Sequence, residues 1–222
     1  MRKIVYVPLP FDAEIVRPSA TATEVIILMH GFMESGKRAL AKMTPGLPEE
    51  LTKHALIVAP NGPFVIPIPP AAPGDSYRAA FSWYFYDRVT QEYKINMETA
   101  VVFLEQGLKA LGVENLAKRL IGFSQGGYLA PIAATGLKNV KQVIGIAAEY
   151  LSDEILKPAT FRLDGIHGEL DDVVLPKEGR ESFEITSQSH KLAGEFKIVA
   201  GMGHKIDAAA QAALKASLRA CI

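Results

Sequence analysis

Thiol chemistry is nearly absent from this chain of 222 residues, which has a single cysteine, Cys221. No internal disulfide can form, and the chain reads as a protein of a reducing compartment. An excess of charge is also missing, since 24 Lys+Arg meet 24 Asp+Glu. Nucleic acids and anionic membranes attract basic surfaces, so neither is expected as a partner. The strictly apolar runs are strand-sized, far below the roughly 20 residues of a spanning helix, and no stable membrane anchor is expected. Near the start, Pro8, Pro10, Asp12 and Glu14 interrupt the apolar stretch that a signal peptide needs, which points to a cytoplasmic location. Cysteine and histidine are nowhere spaced as zinc ligands, so no metal or other cofactor is expected. Repeats and linkers are missing as well, and residues 1–222 read as a single domain.

What is present is alternation. Apolar, β-branched runs at Ile4–Val7, Val25–Met29, Ala55–Ala59, Arg119–Phe123, Val140–Ala147, Thr160–Ile166 and Glu195–Val199 read as strands. Helical patterns lie between them, at about Gly36–Thr52, Tyr93–Leu111, Gln125–Leu137, Lys177–Leu192 and Lys205–Ala220. Near-continuous hydrophobic strands that alternate with helices imply an α/β protein. Its sheet would be mainly parallel, of about seven strands, with helices on both faces. A Pro-rich, apolar insertion at about 60–87 breaks the pattern. Its prolines preclude an ordinary helix or central strand, while its aromatic content argues against disorder.

Two glycine motifs invite a chemical reading. Gly31-Phe32-Met33-Glu34-Ser35-Gly36-Lys37-Arg38 resembles a phosphate-binding loop, but Arg38 stands where that loop needs a Mg²⁺-ligating hydroxyl. Glu34 would also repel an anion. Gly122-Phe123-Ser124-Gln125-Gly126 is the stronger motif, because it leaves a strand candidate and opens a helix. That strand–turn–helix setting is what a nucleophile elbow requires, with glycines removing the Cβ atoms that would clash. A nucleophilic serine needs a base, and the base needs an orienting carboxylate, in the chain order Ser, Asp/Glu, His. His30 and His54 precede Ser124, His167 has no acid strand before it, and His190 lies in a helical pattern. His204, in a glycine-rich loop after the strand Glu195–Val199, is the candidate base. The acid should lie in the loop after the preceding strand. There Glu169, Asp171 and Asp172 are all available, and spacing alone does not choose between Asp171 and Asp172.

Together these residues resemble the α/β-hydrolase superfamily, in its small carboxylesterase/phospholipase and acyl-protein-thioesterase-like branch of bacterial serine hydrolases. The resemblance rests on Leu28-Met29-His30-Gly31, on Gly122–Gly127, on His167-Gly168-x-x-Asp171-x-Val173-Val174 and on Gly203-His204. Ser82-Trp83-Tyr84 is similar to a segment that lies near the substrate in this branch. The resemblance implies Asp171 as the acid and the backbone N–H groups of Phe32 and Gln125 as the oxyanion hole. Two departures stand out: Met33 where the branch commonly has glycine, and Asp172 where it has proline.

The expected reaction is hydrolysis of carboxylic esters of small or acyl-chain substrates through an acyl-enzyme, with activity rising as the base loses its proton. Trp83, Phe64 and Met33 are the candidate substrate-binding residues. An acyl thioesterase or lysophospholipase would use the same triad. A non-catalytic binding protein on this scaffold is the reading from another class. The expected partner is a small-molecule or lipid-like ester, and a homodimer is compatible with the chain.

Overall fold

The computed structural model describes residues 9–222 apart from positions 73 and 88. A short strand, β1 (Ala13–Val16), leads into β2 (Glu24–Met29), whose residues are all buried. After β2 come helices α1 (Gly36–Met43) and α2 (Glu49–Thr52), then β3 (Ala55–Pro60). Two antiparallel pairs follow, β4 (Phe64–Ile68) with β5 (Arg78–Ser82) and β6 (Phe85–Asp87) with β7 (Glu92–Ile95). The rest alternates: α3 (Glu98–Ala110), β8 (Ala117–Phe123), α4 (Gln125–Gly136), β9 (Val140–Ile146), β10 (Arg162–Gly168), α5 (Pro176–His190), β11 (Phe196–Val199) and α6 (Ala208–Arg219).

Seven strands form the main sheet in the order β1-β3-β2-β8-β9-β10-β11, all parallel except β1 against β3. Successive side chains of a strand point to opposite faces, so β2 feeds two separate cores. Val25, Ile27 and Met29 pack with Phe103, Leu104 and Leu129 of α3 and α4. Ile26 and Leu28 pack with Met43 of α1 and Leu214 and Leu218 of α6. Helix α4 is apolar around most of its circumference because it lies over the sheet centre, as a helix buried on all sides must be. No helix among the described residues is long and apolar enough to cross a membrane.

The sequence reading departs from the structure at the periphery. Ile4–Val7 lies outside the described residues, and the edge strand is Ala13–Val16, pinned by Asn61 donating from its backbone to Asp12 O. The Pro-rich insertion contains a hairpin rather than an irregular loop. Pro67 is tolerated in β4 because a two-stranded sheet leaves each strand one unpaired edge. The helix expected from Tyr93 begins at Glu98, because Glu92–Ile95 alternates exposed and half-buried positions as a strand does. Tyr93 turns its ring towards Tyr84 and Tyr86, with centroids at 5.9 and 5.0 Å.

Candidate active site

Ser124 follows β8 directly and precedes the first residue of α4, at φ 49° and ψ −121°. This backbone region is nearly closed to residues with a side chain, and it survives only where the surroundings enforce it. Enforcement comes from close backbone approaches. A Cβ on Gly122 would stand 2.1 Å from Gly126 O, and one on Gly126 would stand 2.5 Å from Met29 O. Ser124 N–H donates to Ile146 O of β9 at 2.9 Å, and Ser124 O accepts from Gly127 N at 2.7 Å. The hydroxyl is thereby held at the carboxyl edge of the sheet, where the strand ends but α4 has not yet closed over it.

His204 reaches Ser124 from the loop between β11 and α6. Its Nε2 lies 3.0 Å from Ser124 Oγ, and its Nδ1 lies 2.9 and 3.1 Å from the two oxygens of Asp171. An ionised carboxylate can only accept, so Nδ1 carries the proton and Nε2 is left to accept from the serine hydroxyl. Asp171 is fully buried at its side chain and also accepts from Val173 N and Val174 N, both at 3.0 Å. Asp172 is exposed, and Glu169 instead accepts from Gly201 N of the His204 loop. The loops that carry Asp171 and His204 are further joined by Leu170 N–H donating to Met202 O at 2.8 Å. Gly168 permits that contact, since a Cβ there would fall 2.3 Å from Met202 O.

The His30–Glu34 loop borders Ser124 on its other side, and its backbone donors are mostly engaged. Gly31 N–H donates to Glu34 Oε2, Met33 N–H to Phe81 O and Glu34 N–H to Gly31 O. Among the described residues, neither Phe32 N–H nor Gln125 N–H has a hydrogen-bond partner. Met33 sits at φ 59°, a left-handed turn position that explains why glycine is the usual occupant. Glu34 is in turn held by Lys42 at 2.6 Å. Its carboxylate thus takes up one of the loop's backbone donors and its nearby cation.

The three substrate-binding candidates, Met33, Phe64 and Trp83, are placed differently. Met33 is exposed beside exposed Phe32, and Phe64 is half-buried at the start of β4 opposite Ser82. Trp83 lines no wall. It is 0 % exposed, stacked on His30, with its indole N–H donating to His30 O at 2.8 Å. An aromatic run beside prolines reads equally as a binding surface or as core packing, and the burial of Trp83 is that of a core residue. The signal for the alternative lay in Gln125, whose buried side chain accepts from Trp83 N and donates to Tyr84 O. Gln125 thus fastens segment 82–84 to the first turn of α4. A cavity of about 290 Å³ at the amino end of the sheet, lined by Ile15, Arg17, Leu56 and Leu111, offers neither nucleophile nor base.

His30 was set aside on chain order, yet it is the most strongly perturbed imidazole. Burial lowers its pKa from 6.5 to about 4, against the opposing hydrogen bond to Gly31 O and the charge of Glu34. The unfolded chain therefore takes up a proton below pH 6.5 that the folded protein refuses until about pH 4. Stability is expected to fall as pH drops through that window, by about 3 kcal/mol from this residue. Urea unfolding at pH 7 and pH 4.5 measures it, and His30→Asn should shed this part of the loss. Equal losses in the two proteins would refute the assignment.

The model of the phospholipase/carboxylesterase family matches residues 11–222. No curated protein sequence matches the chain. Among solved structures, esterase PE8 superposes with a TM-score of 0.76 at 23 % identity, over 96 % of this chain and 100 % of that one. Acyl-protein thioesterase 2 of Zea mays gives 0.71 at 20 % identity, over 94 % and 97 % of the two chains. A carboxylesterase from Mesorhizobium loti gives 0.67 at 17 % identity, over 97 % and 98 %. The architecture they share with this chain is the α/β-hydrolase fold.

Proposed function

Because the chain belongs to the phospholipase/carboxylesterase family, and so is a hydrolase of the esterase or thioesterase type, we propose that it hydrolyses carboxylic esters through Ser124, His204 and Asp171. The observation that carries this reading is the unbroken hydrogen-bonded path from Ser124 Oγ through both nitrogens of His204 to a buried carboxylate. Each group has one role. Ser124 Oγ attacks the carbonyl carbon while His204 Nε2 takes its proton, and Asp171 holds the imidazole tautomer and stabilises the cation that forms. The Phe32 and Gln125 N–H groups meet the oxyanion, an interaction typically worth about 10²–10³ in rate per donor. His204 then protonates the departing alcohol, and the acyl-enzyme is released by a water that His204 activates.

Exposed Phe32, Met33, Leu170 and Val173 lie on the two loops that flank the serine and the acid. An apolar border of this kind favours an acyl chain over a charged acid portion. The triad itself is indifferent to the leaving group, and the likeness to an acyl-protein thioesterase supports thioesters as the second class of substrate.

The test is hydrolysis of p-nitrophenyl esters from acetate to palmitate beside acyl thioesters of matched length, with fluorophosphonate labelling of the serine. Ester turnover with labelling of Ser124 is the expected result. Thioester turnover alone would move the substrate to the second class. Folded protein that neither turns over nor labels would overturn the catalytic reading.

A further inference from the structure

We infer that His30 is a positioning residue that aims the Phe32 N–H at the oxyanion. This rests on the proposed role of that N–H. The argument begins with the peptide unit, which is planar and trans, so the carbonyl of Gly31 and the N–H of Phe32 point in opposite directions. Whatever holds Gly31 O therefore decides where Phe32 N–H points.

Two donors hold Gly31 O: His30 Nδ1 at 2.7 Å and Glu34 N at 3.2 Å. The Glu34 bond closes an ordinary tight turn, but that turn places Met33 in the left-handed region at φ 59°. A residue with a side chain loses there about what one hydrogen bond supplies. The turn is itself fastened to Phe81, by Met33 N–H donating to Phe81 O and Phe81 N–H to Glu34 O. Among the described residues, the shorter bond from His30 is the one side-chain bond that acts on the Gly31 carbonyl directly.

The imidazole is in turn fixed on every side. Gly62 N–H donates to its Nε2 at 2.9 Å, which makes Nε2 the unprotonated nitrogen and Nδ1 the donor. The Trp83 ring stacks against it at 4.8 Å, and the Trp83 indole N–H holds its backbone carbonyl. The peptide before Gly31 is thus held at its oxygen by Trp83 and at its N–H by Glu34. Gly31–Phe32 is held at its oxygen only, and its N–H stays free for substrate.

Two substitutions separate orientation from packing. In His30→Asn an amide N–H takes the place of Nδ1–H, whereas in His30→Gln the amide reaches the place of Nε2, where its oxygen accepts from Gly62 N–H and no donor is left for Gly31 O. His30→Gln is expected to lower kcat on a p-nitrophenyl ester about 100-fold, with KM changed less than threefold and a matching loss of affinity for an alkylboronic acid. His30→Asn should recover kcat to within about tenfold of the parent.

Equal kcat losses in the two variants, or none in either, would overturn the inference. A second readout needs no variant, since imidazole ¹H–¹⁵N correlation spectra of the parent protein should show His30 protonated at Nδ1. Protonation at Nε2 would refute it. Failure of the catalytic reading is told apart by Ser124→Ala, which would then leave ester hydrolysis intact whatever residue 30 is.

Discussion

Ser124→Ala is expected to lower kcat for ester hydrolysis by about 10⁴–10⁶-fold while the protein stays folded. The size follows from what the change removes and what it leaves. It removes the only group at the elbow able to form the acyl-enzyme, and with it the reason for His204 to carry a proton. It leaves the Phe32 and Gln125 donors, which can still polarise a bound carbonyl for direct attack by water, so a residual rate above background is expected. The fold should not suffer. Among the described residues Ser124 Oγ bonds to His204 alone, while the strained backbone is fixed by main-chain bonds to Ile146 and Gly127 that alanine retains. Parent and variant compared for p-nitrophenyl ester turnover and for Tm settle the matter. A loss under tenfold in a variant of unchanged Tm would mean that Ser124 is not the nucleophile.

The parts of this molecule legible from the sequence are those governed by local patterns. Val25–Met29, Arg119–Phe123 and the stretch from Val143 to Ile146 are central parallel strand segments buried on both faces, so their hydrophobicity is near-continuous. The elbow was legible for a different reason. Its geometry forces glycine at 122 and 126, so a backbone constraint is written directly into residue identity.

What was not legible depends on partners distant in the chain. Ala13–Val16 is only four residues long and becomes a strand because β3 lies beside it. Glu92–Ile95 carries a period-two pattern too short to outweigh the helical pattern that follows it. The burial of Trp83 is not legible locally, because nothing in its neighbourhood announces that Gln125, 42 residues on, catches its backbone. Chain order excludes His30 as the base, and the motif Leu28-Met29-His30-Gly31 marks its loop without giving its side chain a role. Its hydrogen bonds to Gly31 and Gly62 concern orientation, on which chain order is silent.

The choice between Asp171 and Asp172 could not be read from spacing either, and it gives the second large effect. Asp171→Asn is expected to lower kcat by about 10⁴-fold with little change in fold, while Asp172→Asn should stay within about threefold of the parent. The argument is one of donors and acceptors. Asp171 Oδ1 accepts from Val173 N and Val174 N and lies 3.1 Å from His204 Nδ1, while Oδ2 has no backbone donor among the described residues and lies nearer that nitrogen, at 2.9 Å. An asparagine has one oxygen and one NH₂ to offer those positions. With the oxygen towards the two backbone donors, its NH₂ confronts Nδ1. The imidazole must then accept at Nδ1 and carry its proton on Nε2, where it cannot receive one from Ser124. With the amide reversed, the NH₂ is pressed against two N–H groups in a buried site, which the protein cannot satisfy. The first orientation is the cheaper, so the variant should fold with the base in the wrong tautomer. Asp172 is exposed, and its substitution removes a charge from the rim but no hydrogen bond to His204. Steady-state kinetics on both variants, with Tm measured alongside, distinguishes the two carboxylates. A collapse of kcat in Asp172→Asn with Asp171→Asn active would transfer the acid's role to the neighbouring residue and undo the tautomer argument with it.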